Sequence, residues 1–424
     1  MFQVRAMFKE VRKRQSSFAV GGAVTVVLNA SAVLALGIAS ILVARYLGPQ
    51  QAGMFVWFDA SSKIVAILAD VCGVSYSTVY LLASARRETE VSVIRSTTLI
   101  YGLIMGAVVT LPMLIVPQLT RLVLPNFGRE WLVPMLLNTV ALSTIAQLRG
   151  LCLGESRFIR LGSITLLMAA LFSGPLCCLL ALKVVKHGVG VAWLGVGTNC
   201  LCAILFSALL ISEGLGRPRA RYILECMPIG WRAYAITASS YVNQRVDLYM
   251  VQTMIGASGL GIYSVVVSMM TLLTQVPAML GQVLLPLAAK GRDPRSDTIR
   301  CLKRAAIVGA MIVVVALPVA FGGKFFVGML FGPRFVAAIP LLKLAIPAIG
   351  FLSVLLMVNQ HLAGTGYPFS QLLSILVSIA VNIGANAWLL RTLGLAGAPI
   401  AVACAHGTRL VMNTAYMLRK SRQA

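Results

Sequence analysis

Eight ionisable residues fall inside long apolar runs of the sequence: Asp59, Lys63, Asp70, Arg232, Arg245, Asp247, Lys343 and Arg409. A charge at the centre of a membrane helix costs about 2.5–3.5 kcal/mol on insertion scales, so each should face a cavity or a partner. Basic side chains so placed can grip an anionic group, arginine with bidentate geometry. Carboxylates so placed can couple to protons or sodium, by titrating or by losing a partner. Lys63, Arg232, Arg245, Lys343 and Arg409 are therefore candidate substrate contacts, with Asn243 and Gln275 beside them. Asp59, Asp70 and Asp247 are candidates for ion coupling. Five bases against three acids leave only a small cationic excess within the membrane.

Helical spacing arranges these residues in stripes. Asp59, Ser62, Lys63, Asp70 and Ser77 share one face at 3.6-residue spacing. Ser264, Ser268, Thr271, Gln275 and Gln282 form a second stripe, and Gln371, Ser374, Ser378, Asn382 and Asn386 a third. His406, Arg409 and Asn413 form a fourth. Together they describe a wet lumen; each singly reads equally as interhelical hydrogen bonding. Arg232, Ser239, Asn243 and Asp247 share a face, while Arg245 points the other way with Tyr234 and Tyr241. Residues two apart do not face one another on a helix, so Arg245 and Asp247 are not a local pair. An ion pair of Arg245 with Asp59 or Asp70 is the alternative.

The elements that must position these groups are membrane helices. Of 424 residues 59% are hydrophobic and 11% charged, with a mean hydropathy of +0.89; soluble domains carry roughly twice that charged fraction. Apolar runs such as Phe18 to Ala44 reach the roughly 20 residues that span hydrocarbon, and that first run is too long for a cleaved signal segment. Twelve spans are expected, at 18–45, 52–75, 95–116, 131–152, 160–182, 189–211, 226–254, 259–286, 305–323, 336–358, 369–390 and 396–418. The net charge of +24 is mostly topological. Of 36 Lys and Arg, 23 gather at the N-terminus, in or beside alternate loops, and at the C-terminus, whereas eight lie in the opposite loops. That places both termini in the cytoplasm and argues against a nucleic-acid partner. Nine cysteines without C-x-x-C read as small buried apolar residues. The sequence shows no metal, nucleophile, P-loop or dinucleotide motif, so neither an enzyme nor a cofactor is expected.

A repeat organises the chain. LGPQQAGMF (Leu47 to Phe55) returns as IGASGLGIY (Ile255 to Tyr263), with Gly48 matching Gly256 and Gly53 matching Gly261. FGREW (Phe127 to Trp131) answers FGPRF (Phe331 to Phe335), and LGESRF (Leu153 to Phe158) answers AGTGYP (Ala363 to Pro368). HGVGVA (His187 to Ala192) answers LGLAGAP (Leu393 to Pro399), all at offsets near 204 to 210 residues. Two homologous halves of six spans follow, and an even number relates them by a pseudo-two-fold axis along the membrane normal. The expected organisation is a basic cytoplasmic segment 1–16, a six-helix bundle 17–211, a cytoplasmic linker 212–225, a second bundle 226–418 and a tail 419–424. The substrate then belongs in the cleft between the bundles.

ARYLGPQQAGMF, the segment Asn243 to Lys290, GLCLGESRF and FGPRFVAAIPLLKLAIPA resemble, in order and spacing, the polysaccharide-transporter branch of the multidrug/oligosaccharidyl-lipid/polysaccharide (MOP) flippases. The resemblance implies a Wzx-like flippase of the bacterial inner membrane that turns an undecaprenyl-diphosphate-linked oligosaccharide to the outer leaflet. The diphosphate would meet the candidate bases, and sugar hydroxyls the polar stripes. Membrane lipids, and polysaccharide polymerase and chain-length machinery, are the expected partners of a monomeric carrier. Two rivals share the fold: a MATE-type multidrug antiporter and a lipid II-type precursor flippase. The first span contains no acid, against the former, and no base within Phe18 to Ala44, against the latter.

Overall fold

Backbone in hydrocarbon must satisfy every N–H and C=O within the protein, which a helix does alone. The computed structural model describes residues 2–84, 88–123, 127–155, 157–289, 294–365 and 368–423, and its regular elements are all helical. They are α1 (Phe2–Leu68), α2 (Val74–Ser84), α3 (Glu88–Ile115), α4 (Pro117–Val123), α5 (Leu132–Gly154), α6 (Phe158–Ala181), α7 (Gly188–Ser212) and α8 (Ala220–Asn243). After these come α9 (Val246–Met254), α10 (Ala257–Ala289), α11 (Pro294–Phe321), α12 (Gly323–Leu330), α13 (Ala338–Gly364), α14 (Phe369–Leu393) and α15 (Gly397–Gln423). Arg86, Arg87 and Lys290 of the basic loops, and Gly366 and Tyr367 of the repeat, lie outside the described residues.

Among the described residues, nine stretches are long and apolar enough to cross a membrane, rather than the twelve expected. The difference has a physical source. Two stretches, 27–68 and 369–422, run to 42 and 54 residues, enough for two crossings each at about 20 residues per crossing. The expected seventh span is divided into α8 and α9, and α8 also carries Arg221, Glu225 and Arg232.

The repeated phrases occupy matching corners. Gly48 interrupts α1 at φ 79°, and Gly256 separates α9 from α10 at φ 97°. Both are left-handed positions that glycine occupies without a Cβ penalty. The second pair of landmarks forms two 3-10 turns, Arg129–Trp131 and Pro333–Phe335, which lead into α5 and α13. Trp131 and Phe335 are buried in the same core as Trp57, Tyr263 and Phe331. The third pair ends α5 and α13, and the fourth begins α7 and α15.

The first phrase packs directly on its echo. A Cβ on Gly53 would lie 1.9 Å from the Ala257 carbonyl oxygen, and a Cβ on Gly261 would lie 1.8 Å from that of Pro49. The contact is reciprocal: each glycine admits the backbone that follows its counterpart's left-handed glycine. Near this corner Arg45 donates to the Met329 carbonyl at 2.8 Å, and the Gly188 amide to Gln51 Oε1 at 2.8 Å.

The opposite end of α7 holds an ionic network. Arg95 meets Glu155 at 2.5 Å, Arg157 bridges Glu155 and Glu213 at 2.6 and 2.5 Å, and Arg160 reaches Glu213 at 2.7 Å. Glu213 begins the segment between α7 and α8. Two backbone amides fasten that segment further, Gly216 to the Ser92 carbonyl and Arg219 to Thr97 Oγ1, both at 3.0 Å. The first turns of α8 then pack on α2, where Ser77 Oγ donates to the Cys226 carbonyl at 2.7 Å.

Candidate functional site

The stripe expected on the second span is cut. α1 ends at Leu68 and α2 begins at Val74, with a turn between. Asp70, buried in that turn, serves as the N-terminal cap of α2. Its carboxylate accepts from the Val74 amide at 3.0 Å, the Ser75 amide at 3.3 Å, Ser75 Oγ at 2.5 Å and Gln147 Nε2 at 3.0 Å. An acceptor here satisfies amides that the helix start leaves unpaired. The break separates Asp70 and Ser77 from Asp59 and Lys63, and Ser62 is fully buried. The expected continuous face therefore reduces to Asp59 and Lys63, which pair at 2.7 Å with side chains 39% and 41% exposed.

A second break meets this pair. α8 stops at Asn243 and α9 starts at Val246, leaving Gln244 and Arg245 as a turn. The Arg245 guanidinium lies over the Tyr241 ring, 5.5 Å from its centroid. It interacts electrostatically with Asp59 and Asp247, and with Lys63. Arg245 and Tyr241 do share a side, as helical spacing predicts, and the electrostatic partner across the interface is Asp59. Trp57, six residues before Lys63 on α1, is buried and packs on Tyr249 of α9, with ring centroids 5.3 Å apart.

Broken membrane helices release backbone polar groups that neighbours must satisfy. Here an amide ladder does so. Asn382 Nδ2 donates to the freed Asn243 carbonyl at 3.2 Å, and Asn243 Nδ2 donates to Ser378 Oγ at 3.0 Å. Ser378 Oγ donates to the Ala405 carbonyl at 2.9 Å, Asn386 Nδ2 to Asn382 Oδ1 at 2.6 Å and Ser374 Oγ to Asn413 Oδ1 at 2.7 Å. These side chains are buried. The polar stripe of α14 is thus spent largely on hydrogen bonds to α8 and α15, and of the α15 stripe Asn413 joins it. Asn243, expected to touch substrate, is a member of the ladder, although one edge of it borders a pocket.

That pocket encloses about 60 Å³. Asn243, Gln244, Arg245, Asp247, Thr271 and His406 supply its polar lining. Asp247 sits in the first turn of α9, where the helix dipole favours an acid. One carboxylate oxygen accepts from the Tyr263 hydroxyl at 2.7 Å, and the other has no protein partner. All its lining residues lie beyond the linker, so this pocket is built within the C-terminal part of the chain. The Asp59–Lys63 pair approaches from the other part.

The remaining candidates are dispersed. Arg409 is 3% exposed and donates to Ser240 Oγ and Asn359 Oδ1, both at 3.3 Å, with no carboxylate partner among the described residues. Lys343 is exposed and lies over the Phe321 ring at 5.0 Å, itself exposed, as lysines that snorkel along apolar surface do. Arg232 is exposed beside Trp231, 5.7 Å from its ring centroid. Gln275 is half-buried on α10, one turn beyond exposed Thr271. Sequence reasoning missed Tyr263 as the partner of Asp247, because the two are sixteen residues apart on different helices. It also missed Gln147, which no local pattern connects to Asp70. Among the described residues no three His, Cys, Asp or Glu side chains gather as metal ligands.

Comparison with solved structures gives this all-helical, multi-pass chain, with its two broken helices meeting at a charged centre, a fold that membrane transporters share. An inward-facing multidrug resistance MATE family transporter of the MOP superfamily is 15% identical with a TM-score of 0.70, covering 95% of this chain and 98% of that one. A MOP superfamily transporter from Pyrococcus furiosus Vc1, whose binding pocket is described as having reverse polarity, is also 15% identical, with a TM-score of 0.65 and 95% of both chains covered. An outward-facing multidrug resistance MATE family transporter gives a TM-score of 0.65 at 15% identity, over 95% of this chain and 96% of that one. No curated protein matches the sequence. Residues 19–292 match the family described as polysaccharide biosynthesis protein, and the chain belongs to that family.

Proposed function

We propose that this protein is a flippase that carries a lipid-linked oligosaccharide, joined through a diphosphate to undecaprenol, from the inner to the outer leaflet of a bacterial cytoplasmic membrane. The observation that carries the reading is the half-exposed Lys63–Asp59 pair set against Arg245 at the α8–α9 break, in a chain of the polysaccharide biosynthesis family. Lys63 and Arg245 are the bases that take the diphosphate, arginine in bidentate fashion. An anion there competes with Asp59 for both cations. Binding substrate thereby loosens the carboxylate, which is the element a proton or sodium gradient would act upon.

The organisation in this reading is two six-span halves, twelve crossings in all, with both termini cytoplasmic. Its support is the reciprocal packing of Gly53 on Ala257 and Gly261 on Pro49, which is what an axis along the membrane normal passing between the two phrases would produce. Transport is rocking of the halves about that contact. A MATE-type cation antiporter shares the fold but would leave Lys63 and Arg245 facing an organic cation.

Export of surface glycan in cells lacking the chromosomal copy tests the proposal. Lys63→Ala and Arg245→Ala should abolish display while inserting normally, and Lys343→Ala should leave it intact. Normal display in both of the first two variants would end the assignment.

A further inference from the structure

Three buried polar atoms belonging to lining residues of the α8–α9 pocket have no protein partner: Asp247 Oδ1, Arg245 Nε and His406 Nδ1. Asp247 is 5% exposed and His406 3%. A buried polar group left unpaired costs about 1–3 kcal/mol, and three around one small space point to a ligand rather than to packing. From the amide ladder the pocket borrows only Asn243. Gripping phosphate from the cleft side uses Arg245 and leaves Asp247 and His406 without a role.

The lining determines the ligand class. Asp247 and Arg245 carry opposite charges, so a small anion would meet the free carboxylate oxygen and a small cation would meet the guanidinium. A neutral ligand with hydroxyl groups meets both, donating to Asp247 Oδ1 and accepting from Arg245 Nε. Thr271 and the amides of Asn243 and Gln244 offer further donors and acceptors. Leu352 and Val402 give apolar wall, which suits the C–H face of a sugar ring. Size sets how much enters. A cavity of about 150 Å³ takes a benzene ring, so about 60 Å³ admits the edge of a pyranose and not a chain of sugars. The mouth is at Thr271 and Gln244, both exposed.

We propose that this pocket is a subsite for one neutral sugar residue, binding a pair of ring hydroxyls between Asp247 and Arg245. The assignment rests on the flippase reading for its biological sense, and it separates the recognition of the cargo from the grip on its diphosphate. The sugar edge is held within the C-terminal part, while Lys63 reaches the phosphate from the N-terminal part. A substrate engaging both would bridge the two parts.

The test uses the full-length protein in a detergent without a sugar head group. Saturation-transfer NMR is recorded with methyl α-D-glucopyranoside, methyl β-D-galactopyranoside and N-acetyl-D-glucosamine, and thermal stability is recorded with inorganic pyrophosphate. At least one sugar should receive transfer from wild type. Asp247→Asn should weaken it about tenfold, as loss of a charge-assisted hydrogen bond does, and Thr271→Phe at the mouth should abolish it. Pyrophosphate stabilisation should survive in both variants. No transfer to any of the three sugars, or equal transfer in wild type and Thr271→Phe, overturns the subsite. Sodium chloride that stabilises wild type but not Asp247→Asn overturns it also, in favour of a cation site. If instead sugar transfer persists while pyrophosphate fails to stabilise wild type, the subsite stands and the diphosphate reading falls.

Discussion

Gly53 and Gly261 make a severe test of the pseudo-symmetric architecture. A methyl group at position 53 would stand 1.9 Å from the Ala257 oxygen, and one at 261 would stand 1.8 Å from the Pro49 oxygen. Ordinary contact begins near 3.4 Å, so α1 and α10 must part by about 1.5 Å at this corner. The obstructing atoms are backbone, which has no rotamer to turn away. Over-packing of this kind costs about 1–3 kcal/mol, and Gly53→Ala and Gly261→Ala should each lie near the top of that range. Because both open the same interface, the second substitution finds the helices already apart. The double variant should therefore lose markedly less than the sum, with about 1–2 kcal/mol of coupling. Apparent melting temperature in detergent, at one scan rate for all four proteins, measures this, with glycan export as the functional readout. Gly384→Ala, where nothing lies within 4 Å, is the control and should be neutral or slightly stabilising, since alanine favours helix by about 1 kcal/mol. Gly261→Ala as stable as wild type, or full additivity in the double variant, would refute the reciprocal contact.

Asp70 should behave as a cap and not as a coupling group. Asp70→Ala should destabilise by about 1–2 kcal/mol, whereas Asp70→Asn, which keeps an acceptor for α2, should retain most stability and ordinary export. The Glu213 carboxyl is held down at about 2, chiefly by its hydrogen bond from Arg160, then by Arg157 against a desolvation cost. A depressed carboxyl contributes stability above its unfolded value near 4.5 and loses it as pH falls toward 2. Melting temperature should accordingly drop across that window, and Glu213→Gln should flatten the drop while lowering stability at neutral pH. Asn382→Ala removes a donor to the Asn243 carbonyl and should cost about 1–3 kcal/mol, a loss visible in thermal unfolding even where substrate binding is normal.

Fold class was legible in the sequence because bilayer thickness and backbone hydrogen bonding leave an apolar run of about 20 residues one outcome. The repeat was legible for a related reason. A left-handed corner, or a neighbouring backbone standing where a Cβ would be, restricts the residue to glycine, so Gly48, Gly53, Gly256 and Gly261 stand out in the two phrases. The presence of buried charge was legible too, since its cost makes it rare.

What each charge does was a matter for tertiary structure. Asp59 and Asp70 are similar in sequence context, yet one pairs with Lys63 at a half-exposed position and the other is consumed capping α2. The difference is a helix break whose location no periodicity announces, stabilised by Gln147 from a helix 77 residues away. Likewise the amides of α14 had the spacing of a lumen face, and only packing turned them toward Asn243 and the end of α8. Sequence alone determined that polar and charged groups would be buried in a helical membrane protein. Three-dimensional packing decided which of them were spent on one another and which, at Lys63, Arg245 and Asp247, kept an atom for something else, because hydrogen-bond satisfaction depends on neighbours that the chain brings from far away.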